Sequence, residues 1–190
     1  MDGGQFAEGE GVRLVVLAKG LAYAKRDKRA NFAFVDLESD FHVPAVEEAC
    51  RTFGTRIIRS FYSPKAMPQD LDAAWTATAF ASDEIPKIAV NCAGANDLAR
   101  LVTWAEELPT RDRIIIGTGE AGYPSRILAS RLGSFLCFTS AINAGLPGAA
   151  PGQIEISSCP GANGLSAAKA GVATSSNSAR SLETGVIFRT

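Results

Sequence analysis

The chain has little cysteine, one histidine and almost no net charge, and each shortage closes off a class of protein. Its four cysteines, Cys50, Cys92, Cys137 and Cys159, form no C-x-x-C pair. Neither a disulfide framework nor a zinc site is expected, and the thiols read as reduced, buried or incidental residues of a cytoplasmic protein. Lys and Arg number 19 against 20 Asp and Glu, a formal charge of −1. No basic stripe or nucleic-acid-binding motif accompanies that balance, so no nucleic-acid partner is expected. No apolar run is long enough to span a bilayer, and Met1-Asp2-Gly3-Gly4 does not open a signal peptide. No G-x-G-x-x-G opens a helix after the first expected strand, which weakens a dinucleotide-binding reading.

What is present reads as one globular α/β unit. The 190 residues, 46% hydrophobic and 21% charged, can bury a sizeable core. Short continuous apolar runs predict strands over Asn31–Asp36, Arg56–Ser60, Lys87–Asn91, Arg113–Thr118 and Ser134–Thr139. Such runs, apolar without alternation, suit strands buried on both faces. Helical patterns lie between them near Pro44–Phe53, Gln69–Phe80, Asn96–Glu107 and Ser125–Leu132, and an opening helix is expected near Gly11–Lys25. Pro44 and Pro124 suit first helical turns, and Asn96 suits an N-cap. An open doubly wound sheet and part of a (β/α)8 barrel both fit this βα repeat. From Ser157 the chain is rich in Gly, Ala, Ser and Asn, which predicts a flexible tail over 157–190.

Several residues could carry chemistry, each with an ordinary alternative. Lys87 enters an apolar strand, where a desolvated amine becomes a nucleophile toward a ketone. The alternative is a strand-end lysine with its head in water. Arg126 stands at a strand-to-helix turn, where a guanidinium can clamp a carboxylate with two parallel donors, or can simply be solvated. Gln153 closes the loop Pro147-Gly148-Ala149-Ala150-Pro151-Gly152-Gln153, which reads either as a lid over substrate or as a surface turn. The acidic cluster Asp36-Leu37-Glu38 ends a strand and could equally cap a helix.

Three phrases occur in fixed order: Glu84-Ile85-Pro86-Lys87-Ile88-Ala89-Val90, Tyr123-Pro124-Ser125-Arg126-Ile127-Leu128-Ala129 and Ala149-Ala150-Pro151-Gly152-Gln153-Ile154. Together they resemble type I 3-dehydroquinate dehydratase, the Schiff-base lysine lyase of the shikimate pathway of aromatic amino acid biosynthesis. The resemblance runs from about Asp2 to about Ile156. It implies a TIM barrel in which the five strands match the family's fourth to eighth, and Asp2-Gly3-Gly4 matches the Gly-Gly that shortly follows its third. The first three strands would then be absent, with a Glu and two Arg that bind substrate in the family. An incomplete barrel of about five parallel strands over 1–156 is the expectation. Arg180-Ser181-Leu182 and Gly185-Val186-Ile187 faintly resemble the linker and first strand of a fused shikimate dehydrogenase, with a random tail as the alternative.

The resemblance also assigns roles. Lys87 would form the imine with 3-dehydroquinate, Arg126 would hold its carboxylate, Gln153 would belong to the lid, and the cluster containing Glu38 would support the catalytic histidine. No metal or organic cofactor is implied, because the lysine is the electron sink. A homodimer is implied by the family's common state. Two positions depart from the pattern. The family phrase Ser-x-His becomes Ser60-Phe61-Tyr62, so Tyr62 stands where the histidine belongs. An unperturbed phenol titrates near ~10 and an imidazole near ~6.5, so a tyrosine is a poor base at neutral pH. Ala149 replaces the lid serine and removes a hydroxyl. His42, the single histidine, matches no family position and reads as a helix-flanking surface residue. Weak dehydratase activity is therefore expected. The alternatives are a non-catalytic remnant that binds a ligand or partner, and another class I Schiff-base aldolase.

Overall fold

The computed structural model describes residues 16–17, 34–78, 81–139, 154, 171–177 and 181–189, the outermost strands by backbone alone. The strands are β1 (Val16–Leu17), β2 (Phe34–Glu38), β3 (Arg56–Ser63), β4 (Ile85–Asn91), β5 (Ile114–Thr118), β6 (Leu136–Thr139), β7 (Gly171–Asn177) and β8 (Ser181–Arg189). The helices are α1 (Pro44–Thr52), α2 (Leu71–Thr78), α3 (Ala95–Glu107) and α4 (Pro124–Ile127). Strands β2, β3, β4 and β5 form a parallel sheet in sequential order, as a βα barrel wall requires. β6 approaches β5 in the same direction through the Arg113–Ser134 bridge and a Phe135 N–H donated to the Arg113 carbonyl at 2.6 Å.

The continuous apolar runs follow from burial on both faces, with side chains alternating along each strand. Ile58, Ile85, Ala89, Ile114 and Ile116 pack with Leu136 and Phe138 on one face. Ile88, Val90 and Ile115 point the other way and meet Leu71 and Ala74 of α2 and Leu101 and Ala105 of α3. Trp75 and Trp104 meet edge to face between those helices, and the Trp104 indole donates to Asp72 at 2.8 Å. Pro86 is tolerated in β4 because pairing with β5 begins one residue later, at Lys87 opposite Ile114.

Pro44 and Pro124 occupy the first turns of their helices, as expected. The turn before α4 is tight. A Cβ on Gly122 would lie 2.4 Å from the Gly117 carbonyl carbon, so only glycine fits. That approach lets the Ser125 hydroxyl accept from the Gly117 N–H at 2.8 Å, which seats the adjoining Arg126.

Three expectations need revision. Asn96 is not the cap of α3; Gly94 is, and the carboxylate of Asp97 accepts from the Ala93 N–H at 2.8 Å. With Gly94 as the cap, Asn96 is the second helical residue, and the acid at the third position reaches back to the preceding backbone instead. Within the expected opening helix, Val16–Leu17 form a strand antiparallel to β7, with Val16 opposite Thr174. Ladder pairing there overrides the three-to-four spacing, and a β-branched valine accepts it readily. The rest of that helix lies outside the described residues. In the segment whose composition reads as a flexible tail, β7 and β8 pair antiparallel, and β8 also pairs antiparallel with β6. Val172, Thr174, Val186, Ile187 and Phe188 supply strand-favouring residues amid the glycine and serine.

Candidate active site

Three polar residues interrupt the apolar face of the parallel sheet. In the pairing register Ser60 of β3 lies opposite Lys87 of β4, and Asp36 of β2 lies opposite Ile58 of β3. The Asp36 carboxylate joins them. Its Oδ1 accepts from the Ser60 hydroxyl and its Oδ2 from Lys87 Nζ. One carboxylate thus ties three adjacent strands. The Phe138 ring covers the ammonium, its centroid 4.5 Å from Nζ. The Lys87 side chain is 12% exposed and that of Asp36 is 1% exposed. The lysine head is therefore packed between a carboxylate and an aromatic face, not snorkelled into water. A desolvated amine with a proton acceptor in contact can add to a carbonyl.

Tyr62 lies two residues beyond Ser60 on the same face of β3, opposite Ala89, and packs half-buried against the apolar cluster there. Glu38 ends β2 opposite Ser60 and is half-buried. Arg126 is buried, and its Nη1 donates to the Phe138 carbonyl at 2.9 Å. Phe138 thus meets Lys87 through its ring and Arg126 through its backbone. Gln153 and Ala149 lie outside the described residues. His42 flanks α1, partly exposed, with Nδ1 3.4 Å from Glu47 Oε1. Cys50, Cys92 and Cys137 are buried, and Cys159 lies outside the described residues.

The opposite face of β3 holds a second polar cluster, made of Arg59, Glu84 and Glu47. Arg59 is completely buried. Its Nε and Nη2 donate to both oxygens of Glu84 at 2.9 and 2.7 Å, Nη2 also reaches Glu47 Oε1 at 2.8 Å, and Nη1 donates to the Phe41 carbonyl at 2.6 Å. Burial acts to raise the Glu47 pKa, but hydrogen bonding and attraction from Arg59, helped by His42, bring it below the ordinary value. Burial likewise opposes the Arg59 charge, and the two carboxylates more than offset it. Glu84 immediately precedes β4, so this cluster holds the start of β4 and helix α1 against β3. That brace supports the register that sets Lys87 beside Ser60.

Sequence inspection finds Lys87 but not its setting. Ser60 enters only as part of Ser60-Phe61-Tyr62 and nothing in the sequence points to Phe138, while the Asp36–Lys87 pair joins residues 51 positions apart. A usable signal did exist for two of them: Asp36 and Lys87 each sit between apolar neighbours, Val35 and Leu37 in one strand and Pro86 and Ile88 in the other.

The fold and site define a parallel α/β domain of the TIM-barrel class with a carboxylate-paired lysine on the strand face. The type I 3-dehydroquinase family profile matches residues 1–163, and the chain belongs to that family. Among solved structures, it is similar to the 3-dehydroquinate dehydratase of Geobacillus kaustophilus, at 22% identity and a TM-score of 0.58, over 66% of this chain and 50% of that one. The type I enzyme of Clostridium difficile, solved with covalently modified comenic acid, is 22% identical with a TM-score of 0.55 over 66% and 52%. The 3-dehydroquinate dehydratase of Aquifex aeolicus is 22% identical with a TM-score of 0.50 over 65% and 55%. Likeness at this identity speaks to the fold. The chain spans about half the length of these structures. A search of the curated proteins finds no match.

Proposed function

We propose that Lys87 forms an imine with the ketone of 3-dehydroquinate and that the iminium serves as electron sink for loss of water, giving 3-dehydroshikimate. This is a hydro-lyase step of the shikimate pathway, carried out in the cytoplasm. The observation that carries the reading is the Lys87 head, withdrawn from water and held by Asp36 in a chain of this family. Arg126 takes the substrate carboxylate, Glu38 stands at the end of β2 on the same strand face, and Gln153 belongs to the closing loop. The imine is the electron sink, so the reaction calls for no metal or organic cofactor. Turnover is slow, because Tyr62 offers a phenol where the family has an imidazole and Ala149 offers no hydroxyl. The reading carries a homodimer with it, which sedimentation velocity would detect.

The test is incubation with 3-dehydroquinate and borohydride, followed by mapping of the adduct. Reduced adduct concentrated on Lys87, with slow growth of enone absorbance, is the expected result. Adduct spread evenly over other lysines, or none on Lys87 in folded protein, would sink the assignment. Tyr62 favours a second reading, ligand capture without turnover, in which adduct forms on Lys87 and no enone follows.

A further inference from the structure

We propose that Asp36 is a catalytic acid–base residue at Lys87: it takes the proton that the ammonium must lose before addition and returns it to the oxygen that leaves as water. The proposal deepens the imine reading above, and it concerns any carbonyl that reaches Lys87.

The carboxylate contacts the reacting nitrogen directly. Its other oxygen is engaged by Ser60, so Oδ2 is the oxygen turned toward the amine. Asp36 is 1% exposed, which keeps bulk water from delivering or removing the proton at that oxygen. A general base must lie within hydrogen-bond reach of the proton it moves, and this geometry meets that condition. Tyr62, in the family's histidine position, packs among apolar side chains two residues further along β3.

The step balances. The ammonium gives one proton to Asp36, and the free amine adds to the carbonyl carbon, forming the C–N bond. The amine's second proton passes to the carbonyl oxygen, giving a neutral carbinolamine. Asp36 then delivers its proton to that hydroxyl, the C–O bond breaks, and water leaves. Ammonium and carbonyl become iminium and water, and Asp36 ends as a carboxylate. Nothing is oxidised or reduced. The positive charge begins and ends on nitrogen, under the Phe138 ring that favours a cation in both states.

The full chain is treated with formaldehyde and cyanoborohydride, and methylation of each lysine is followed by mass spectrometry. Exposed Lys65 serves as internal reference. In Asp36→Asn, methylation of Lys87 relative to Lys65 should fall by ~10²-fold or more, the usual worth of a positioned acid–base group. In Asp36→Ala, added formate should restore part of that rate, which a merely structural role would not produce. Ser60→Ala keeps the carboxylate but frees its orientation, and should slow Lys87 several-fold. An unchanged or faster Lys87 in Asp36→Asn would overturn the proposal, because a carboxylate that only neutralises the ammonium would release the amine when removed. Should Asp36 variants fail to fold, an unchanged rate in Ser60→Ala would overturn it. A parallel arm with 3-dehydroquinate and borohydride separates the two claims. Loss of adduct there in wild-type protein, with the formaldehyde order intact, rejects the substrate and leaves Asp36 in its role.

Discussion

Arg59→Met should cost the folded domain about 3–5 kcal/mol, the usual penalty for removing one partner of a buried ion pair. The estimate comes from what the substitution leaves behind. Arg59 makes three short hydrogen bonds to carboxylate oxygens, of 2.7 to 2.9 Å. The Glu84 side chain is 1% exposed, so without the guanidinium its charge has no route to water, whereas that of Glu47, at 11%, is closer to it. Arg51 stands 4.0 Å from Glu84 and cannot replace the bidentate fork. Urea unfolding of wild type and variant reads the effect. With a slope of roughly 1–3 kcal/mol/M, the midpoint should drop by on the order of 2 M. Arg59→Lys keeps the charge and loses the fork, and should fall between the two. Replacing Arg59, Glu47 and Glu84 together with apolar residues of similar volume should recover most of the loss, because the cost lies in the stranded charge. A fall below about 1 kcal/mol for Arg59→Met, the range of exposed pairs, would show that water reaches this network and would refute the reasoning.

Three further outcomes are expected. Glu47 titrates below its ordinary value of 4.5 in the folded chain, so its stabilising contribution is full above that value and is lost as pH falls through the lower folded value; denaturation midpoints from pH 7 to pH 3 should decline less in Glu47→Gln than in wild type, and equal declines would contradict the assignment. Burial, with a smaller push from Asp97, raises the Cys92 thiol to about 11, so iodoacetamide at pH 8.5 should spare it in the native protein and label it in urea; native labelling at the unfolded rate would show the site to be open. Tyr62→His should raise enone formation from 3-dehydroquinate by less than the ~10²–10⁴-fold a general base supplies in a complete site, with adduct yield on Lys87 unchanged; no gain would remove this position from the proton path.

Local pattern carried much of the fold. Ile57-Ile58, Ile88-Ala89-Val90 and Ile114-Ile115-Ile116 announce buried strands, because a strand covered on both faces is apolar at every position. Pro44 and Pro124 announce helix starts, because their fixed backbone angle suits a first turn. The phrases around Lys87 and Ser60-Phe61-Tyr62 were equally open to reading, since each is a property of a few adjoining residues. Tertiary structure decided the partners. Asp36 meets Lys87 across 51 positions, and Arg59 meets Glu84 across 25. Only the parallel register of β2, β3 and β4 sets the first pair on one face and the second on the other. Glycine- and serine-rich composition concealed β7 and β8, which pair with each other and, over longer distances in the chain, with β1 and β6. Alternation along a strand is written residue by residue. Which strand lies alongside, and in what register, is settled only when the sheet assembles, and that choice turned a lysine in an apolar run into one bound to a buried carboxylate.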